Sequence, residues 1–213
     1  MKTTVKFLSK RFIVIGALVL ASAILFISPA LAQDQEKKTG LSISLSAGIF
    51  YPQQRSFRLI YGTVQVPLGI QLSWAPSTRV AFHLGFKHLS FSGNTIVIGP
   101  IFIPETYSIK FKNSSVRLGF SYVLRSRRKL TMFVGGGGSA NFFKEKWEGL
   151  TLTRNGRKVG FYILTGNEYS LGKRFSLFSL LEYTNVPTGT GSRLIEKVNL
   201  GGLELSLGLR FWF

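Results

Sequence analysis

The chain contains no cysteine. Disulfide frameworks, thiolate metal sites and cysteine nucleophiles are excluded at once. Histidine is almost absent too, with only His83 and His88, so no metal constellation is expected. No cofactor is expected either. The Gly135-Gly136-Gly137-Gly138 run lacks a following G-K-[ST]. It is not a phosphate loop; within a strand it permits a bend or close packing. After residue 32 there is no second apolar run of about 18 residues, so no transmembrane helix is expected. Acidic residues are scarce: 9 Asp and Glu stand against 27 Lys and Arg.

What is present begins with a three-part leader. Lys2, Lys6, Lys10 and Arg11 precede an apolar run from Phe12 to about Ile27, and Ala30-Leu31-Ala32 follows. A positive region, an apolar core and an A-x-A site make a secretory signal peptide, with cleavage expected after Ala32. The alternative is an uncleaved anchor; the polar Gln33-Asp34-Gln35-Glu36 run argues for cleavage. Removing those four cations leaves 23 Lys and Arg against 9 acids, a mature charge of +14. An exported protein seldom meets nucleic acid, so none is expected as a partner. Outer-membrane lipid, the phosphates of lipopolysaccharide, and sulfated host or environmental glycans are the expected anionic partners.

The last eleven residues, Leu203 to Phe213, are apolar at every odd position. Side chains alternate across a strand, so this segment has one continuous apolar face. A strand of about 9–11 tilted residues crosses a bilayer. After a polar lead-in at 33–40, the domain from 41 to 213 divides into eight such segments: 41–51, 64–74, 79–86, 114–124, 130–142, 160–171, 175–184 and 203–213. Short polar turns at 75–78, 125–129 and 172–174 alternate with long connections at about 52–63, 88–113, 143–159 and 185–200. That order suits an all-β, eight-stranded, antiparallel up-and-down transmembrane barrel with short turns and both ends on the periplasmic side. Aromatics gather at both ends of the apolar face. Trp74, Tyr122, Tyr169, Phe175 and Phe213 mark one rim, and Tyr51, Phe86, Phe142, Phe161 and Tyr183 the other. A soluble barrel with its apolar side inside explains neither belt.

These patterns resemble the small OmpA-like and OmpX-like outer-membrane barrels of Gram-negative bacteria. The resemblance covers about Leu41 to Phe213 and rests on the strand pattern, G-N-E-Y at 166–169, L-L-E-Y at 180–183, and the closing L-x-L-x-L-G-L-R-F-W-F. It implies a bacterial outer-membrane location and an assembly signal at Leu209, Phe211 and Phe213 read by the barrel-assembly machinery. It also implies a monomer, and roles in envelope integrity, adhesion or lipopolysaccharide contact. The peptidoglycan-binding domain that follows the barrel in full-length OmpA-type proteins is not expected here.

Candidate functional residues fall into three groups. The inward face carries Lys87, Arg117, Glu168, Glu182, Glu204 and Arg210. Counted from the short-turn rim, Lys87, Arg117, Glu182 and Glu204 share a middle layer, while His83, Glu168 and Arg210 share a lower one. An eight-stranded barrel is just wide enough to be filled by its side chains, so these are expected to form a plug of ion pairs. Glu182 and Glu204 then neutralise Lys87 and Arg117, and no catalytic residue is assigned. A narrow proton or ion pathway is the alternative. The second group is a basic stretch in the 143–159 connection: Lys144, Lys146, Arg154, Arg157 and Lys158, with Trp147 among them. Either these are solvated loop charges or they bind anions, with Arg55, Arg58, Arg193 and Lys197 in neighbouring loops. The third is His88-Leu89-Ser90 at the outer rim, where H-x-S resembles the motif of the lipid A deacylase barrels and Glu105 would orient the histidine. In that family the motif lies near the C-terminal end, whereas here five strands follow it. The apolar stretch Thr95 to Pro104 either extends two strands as a hairpin or docks on a partner.

Overall fold

The computed structural model describes residues 38–98, 104–127, 129–148, 152–188 and 198–213. The expected leader at 1–32 and most of the lead-in lie outside the described residues. So do Arg193 and Lys197.

Period-two alternation gives strands throughout. In chain order these are β1 (Gly40–Pro52), a short helix α1 (Arg55–Tyr61), β2 (Leu68–Ala75), β3 (Val80–Ile98), β4 (Pro104–Arg127), β5 (Leu130–Glu148), β6 (Thr153–Ser170), β7 (Phe175–Asn185), β8 (Pro187–Thr188), β9 (Val198–Asn199) and β10 (Gly202–Trp212). Eight of them close an antiparallel barrel in the order β1-β10-β7-β6-β5-β4-β3-β2, and β8 pairs only with β9. The seam joins the two ends of the domain, with Ser42 opposite Trp212 and Pro52 opposite Gly202. Over the spanning part closure leaves no sheet edge, so the backbone groups there find partners without water; beyond it β3 above His88 and β6 before Phe161 pair on one side only.

The short-turn half of the barrel is apolar outside. Leu45, Leu118 and Leu124 are each more than 60% exposed, with Trp74, Phe82, Phe120 and Phe213 beside them. On β4 the outward apolar run from Val116 to Leu124 is eight steps. At ~3.3 Å per residue and ~40° of tilt this run spans about 20 Å between its end residues, close to the ~25 Å apolar band of membrane-spanning barrels. Many inward positions are small or polar: Ser42, Ser44, Ser73, Ser121, Ser176 and Ser206 are all buried.

Beyond that band the faces exchange character while the strands continue in phase. On β3, Leu89 and Phe91 point inward and are buried, while Ser90 and Ser92 are exposed. On β4 and β5, Ile109, Phe111, Phe143 and Trp147 are buried, and Lys110, Lys112, Lys144 and Lys146 are exposed. The long-loop end, an open sheet of β3 to β6, is thus built as the sheet of a water-soluble protein, greasy inside and charged outside. Its core holds Phe50, Leu89, Phe91, Ile109, Phe111 and Phe143, closed by Phe57 and Tyr61 of α1. Seven residues without a side-chain N-cap make a marginal helix, so this packing is what holds it. Gly93 permits the approach: a Cβ there would fall 1.9 Å from the Ile60 carbonyl oxygen.

Several sequence expectations are corrected. The 52–63 connection contains α1. The second segment starts at Leu68 rather than Val64, because Pro67 has no N–H for the ladder; before it only a single bridge joins Gln65 to Phe50. The expected loops at 88–113 and 143–159 are mostly strand: β3 and β4 pair out to Ile98 and Pro104, and β5 and β6 to Lys146 and Thr153. The basic residues Lys144, Lys146, Arg154, Arg157 and Lys158 therefore lie on strands, not in a loop.

Candidate functional site

The midpoint of the lumen is an ion-pair cluster assembled from four strands, with an aromatic ring from a fifth. Lys87 Nζ on β3 lies 3.0 Å from Glu182 Oε1 on β7 and 2.8 Å from Glu204 Oε2 on β10. Arg117 Nη2 on β4 lies 2.7 Å from Glu182 Oε2. Glu182 also accepts from Thr184 Oγ1 at 2.9 Å. The Arg117 guanidinium stacks 3.8 Å from the ring centroid of Tyr162 on β6. Room for that ring comes from glycine. Gly119, Gly137 and Tyr162 are inward neighbours in register, and a Cβ on Gly119 would fall 2.3 Å from the Tyr162 hydroxyl.

A second layer lies toward the short turns. Arg210 Nη1 donates to Glu168 Oε2, and Trp212 Nε1 donates to Glu168 Oε1 at 3.1 Å. His83 does not join that pair. Its Nδ1 is 2.9 Å from Ser73 Oγ and its Nε2 2.7 Å from Ser121 Oγ. The two layers together hold three cations and three carboxylates, so their charges balance. Below them a cavity of about 80 Å³ is lined by Glu168, Arg210, Trp212 and Lys38. Burial lowers the Lys38 ammonium below its ordinary pKa, with the Glu168 carboxylate acting in the other direction. Apolar side chains that sequence reading did not place inside, notably Phe133, Leu164 and Phe178, fill space between the layers.

Above the cluster stands the aromatic cap. Phe57 packs edge-on against Phe91 and Phe111, with centroids 5.1 and 5.3 Å apart. Glu145 is fully buried here and accepts from Trp147 Nε1 at 2.7 Å. Arg58, read from the sequence as a solvated or anion-binding loop charge, donates to the carbonyls of Pro52 and Gln53, each at 2.7 Å. Its guanidinium also lies over Tyr51, 4.6 Å from the ring centroid.

The outer face of the extension carries the exposed cations. Lys144, Lys146 and Arg157 point outward and are exposed, whereas Arg154 and Lys158 are half-buried on the inward phase. The five do not form one surface. Lys110 and Lys112, which the sequence reading missed, stand opposite Lys146 and Lys144 on β4. Lys110 pairs with Glu148, and by hydrogen bond and charge holds that carboxyl below its usual pKa. The inverted alternation of Tyr107-Ser108-Ile109-Lys110-Phe111-Lys112 was the available signal for these two lysines.

His88 also points outward, half-buried, and its Nδ1 lies 2.9 Å from Ser114 Oγ. Its hydrogen-bonded hydroxyl is the cross-strand Ser114 and not Ser90, which lies one rung higher on the same strand. The Glu105 side chain lies outside the described residues. Among the described residues there is no cluster of His, Asp and Glu able to hold a metal.

Structural comparison identifies the architecture. Neisserial surface protein A superposes with a TM-score of 0.61 at 15% identity, covering 82% of this chain and 98% of that one. The chain has the fold of the small eight-stranded outer-membrane β-barrels. The outer membrane protein OprG of Pseudomonas aeruginosa matches at TM-score 0.59 and 12% identity, over 85% of this chain and 99% of that one. The N-terminal barrel domain of OprF from the same organism matches at 0.52 and 13%, over 83% and 100%. No protein-family model and no curated protein matches the sequence.

Proposed function

We propose that this protein is a non-conducting, non-enzymatic barrel of the bacterial outer membrane that contacts polyanions at the cell surface. In this reading it is exported through cleavage after Ala32, inserted as a monomer through its closing strand, and oriented with the long extension outward. Support for the location comes from the lipid-height apolar band and from the outer-membrane proteins that share the fold. The observation that carries the rest is the exchange of faces. Charge is balanced within the two lumen layers, whereas on the outside of the extension only Lys110 is answered among the described residues, and lipopolysaccharide phosphates or sulfated glycans would meet the rest. The lumen is obstructed twice, by the Lys87–Glu182–Glu204–Arg117 cluster and by the α1 cap.

Two measurements test this. In planar bilayers the mature protein is expected to show no steady porin-scale conductance, and such a conductance would refute the plug. Retention on immobilised lipopolysaccharide or heparin is expected and should fall as salt rises; salt-independent retention would refute the electrostatic contact.

The His88–Ser114 hydrogen bond favours a second reading, a lipid-facing esterase in which Ser114 is the nucleophile and His88 the base. Expression in an outer membrane followed by mass spectrometry of lipid A decides it. Loss of an acyl chain that disappears in Ser114→Ala would establish the enzyme, and an unchanged spectrum would remove it.

A further inference from the structure

The outward face of β4, β5 and β6 carries an arrangement that a sheet does not favour by itself. Lys112 is directly opposite Lys144, and one rung farther out Lys110 is directly opposite Lys146. Like charges at opposed positions repel across the 5 Å between strands. Lys110 is answered by Glu148. Among the described residues, no carboxylate forms an ion pair with Lys112, Lys144, Lys146 or Arg157. Arg157 lies over Phe142, its cross-strand partner, 5.7 Å from the ring centroid.

The position of these cations narrows what could compensate them. Phe142 and Arg157 lie on the rung just past the apolar band, and Lys144 opposite Asn155 lies on the next. One rung is two residues, about 5 Å along the barrel axis at the usual tilt. The polar headgroup layer on each side of a hydrocarbon core is about 5–7 Å deep. Arg157 thus stands at headgroup height, with Lys112 and Lys144 about 5 Å farther out, from where their flexible stems reach back to it, and Lys146 about 5 Å beyond them; all four face sideways from the strands. A shallow groove of about 440 Å³ runs here, lined by Phe142, Phe143, Lys144, Asn155, Gly156 and Arg157. Phe142 adjoins the apolar band with Arg157 on the same rung, and Lys144 lies one rung beyond, which is the polarity of an anionic amphiphile held by its head. A soluble sulfated chain has no use for the apolar wall.

We infer that this face is a binding site for a lipid-borne phosphate, clasped by Lys112, Lys144, Lys146 and Arg157 with the acyl part against Phe142. The inference rests on the outer-membrane reading above and specifies its anionic partner. One phosphate between Lys112 and Lys144 turns their mutual repulsion into two charge-assisted hydrogen bonds.

The test uses the full mature chain in phosphatidylcholine nanodiscs containing either diphosphoryl lipid A or its dephosphorylated form, with soluble heparin as a separate arm. Lys112→Gln/Lys144→Gln is compared with wild type and with Lys173→Gln/Arg174→Gln, which removes the same charge from the short-turn rim. Lipid A retained per barrel is counted by native mass spectrometry. The expected result is that diphosphoryl lipid A is enriched around wild type, dephosphorylated lipid A is not, and the first variant loses about 10-fold in affinity while the rim variant changes little. A second readout removes ambiguity over folding. In zwitterionic detergent without anionic lipid, Lys112→Gln/Lys144→Gln is expected to melt at or above the wild-type temperature, and adding diphosphoryl lipid A should raise only the wild type. Lys146→Gln/Arg157→Gln serves as an independent pair, with the same expectation for lipid A. Equal lipid A binding by all three variants overturns the site. If heparin binding persists in that case, the broader surface reading survives. If neither lipid A nor heparin binds wild type, both fall.

Discussion

Replacing Lys87 by methionine removes the cation that touches both Glu182 and Glu204. Glu182 keeps Arg117; Glu204 is left buried without its partner. Breaking a buried pair from one side costs about 3–5 kcal/mol, because the surviving charge stays desolvated and unanswered. With a urea dependence of about 2 kcal/mol per molar for a small domain, the unfolding midpoint should fall by about 2 M. The cluster's charges explain how to recover the loss. Lys87 and Arg117 balance Glu182 and Glu204, so Lys87→Met alone leaves one negative charge in excess. Adding Glu204→Gln restores neutrality, and the double variant should be more stable than Lys87→Met, with a coupling of about 2 kcal/mol or more. Urea titrations of the barrel in lipid, followed by tryptophan fluorescence and by the gel shift between folded and unfolded forms, measure all four corners of the cycle. A loss below about 1 kcal/mol for Lys87→Met, or strict additivity in the double variant, would show that the cluster is not a closed charge balance. Conductance supplies a separate check. On the proposed double obstruction of the lumen, Lys87→Met should remain closed in planar bilayers.

Other expectations follow from neighbouring features. Gly93→Leu should expel α1, since its side chain would occupy the space of the Ile60 carbonyl; trypsin should then cut rapidly at Arg55 or Arg58 while the barrel still migrates as folded. Gly119→Ala should lose about 1–3 kcal/mol through overpacking against Tyr162 and the Gly136 carbonyl, and Gly119→Ala/Tyr162→Ala should recover less than all of it, as the backbone contact remains. Leu118→Lys, 68% exposed in the middle of the apolar band, should cost about 2–4 kcal/mol in a bilayer, whereas Lys112→Leu should cost far less; equal costs would place the band at the wrong height.

The barrel itself was legible because each spanning strand repeats one physical statement, apolar on one side and small or polar on the other. The long-loop half was misread because that statement reverses there without a break in periodicity. Leu89, Phe91, Ile109, Phe111, Phe143 and Trp147 continue the alternation on the opposite parity, so a search for one apolar face stopped at Phe86 and Phe142 and named the remainder loop, apart from the hairpin offered as one alternative for Thr95 to Pro104. The lumen pairs were accessible by counting residues, since inward charges at equal height on an eight-stranded cylinder have few other partners. Their exact membership was not: His83 sits at the height of Glu168 and Arg210 yet bonds to Ser73 and Ser121, because strand stagger decides neighbours. The helix left only the i, i+4 pair Phe57 and Tyr61 as a signal, too short to distinguish from loop aromatics. The H-x-S motif misled through spacing. Ser90 shares the outward face with His88 but is a full rung away, while Ser114 is brought opposite by register.

The membrane placement and the lipid site both depend on the level at which the barrel's outside changes from lipid to water. The absence of cysteine makes single-cysteine spin labelling direct along the outward positions of β4, from Leu124 through Tyr122, Phe120, Leu118, Val116 and Ser114 to Lys112 and Lys110. Collision with oxygen, which dissolves in lipid, and with a water-soluble nickel chelate is read at each site in bilayers. Oxygen is expected to dominate from Tyr122 to Val116 and the chelate to take over by Lys112, within two rungs. Uniform chelate access along the whole strand, or oxygen dominance persisting through Lys110, would contradict both.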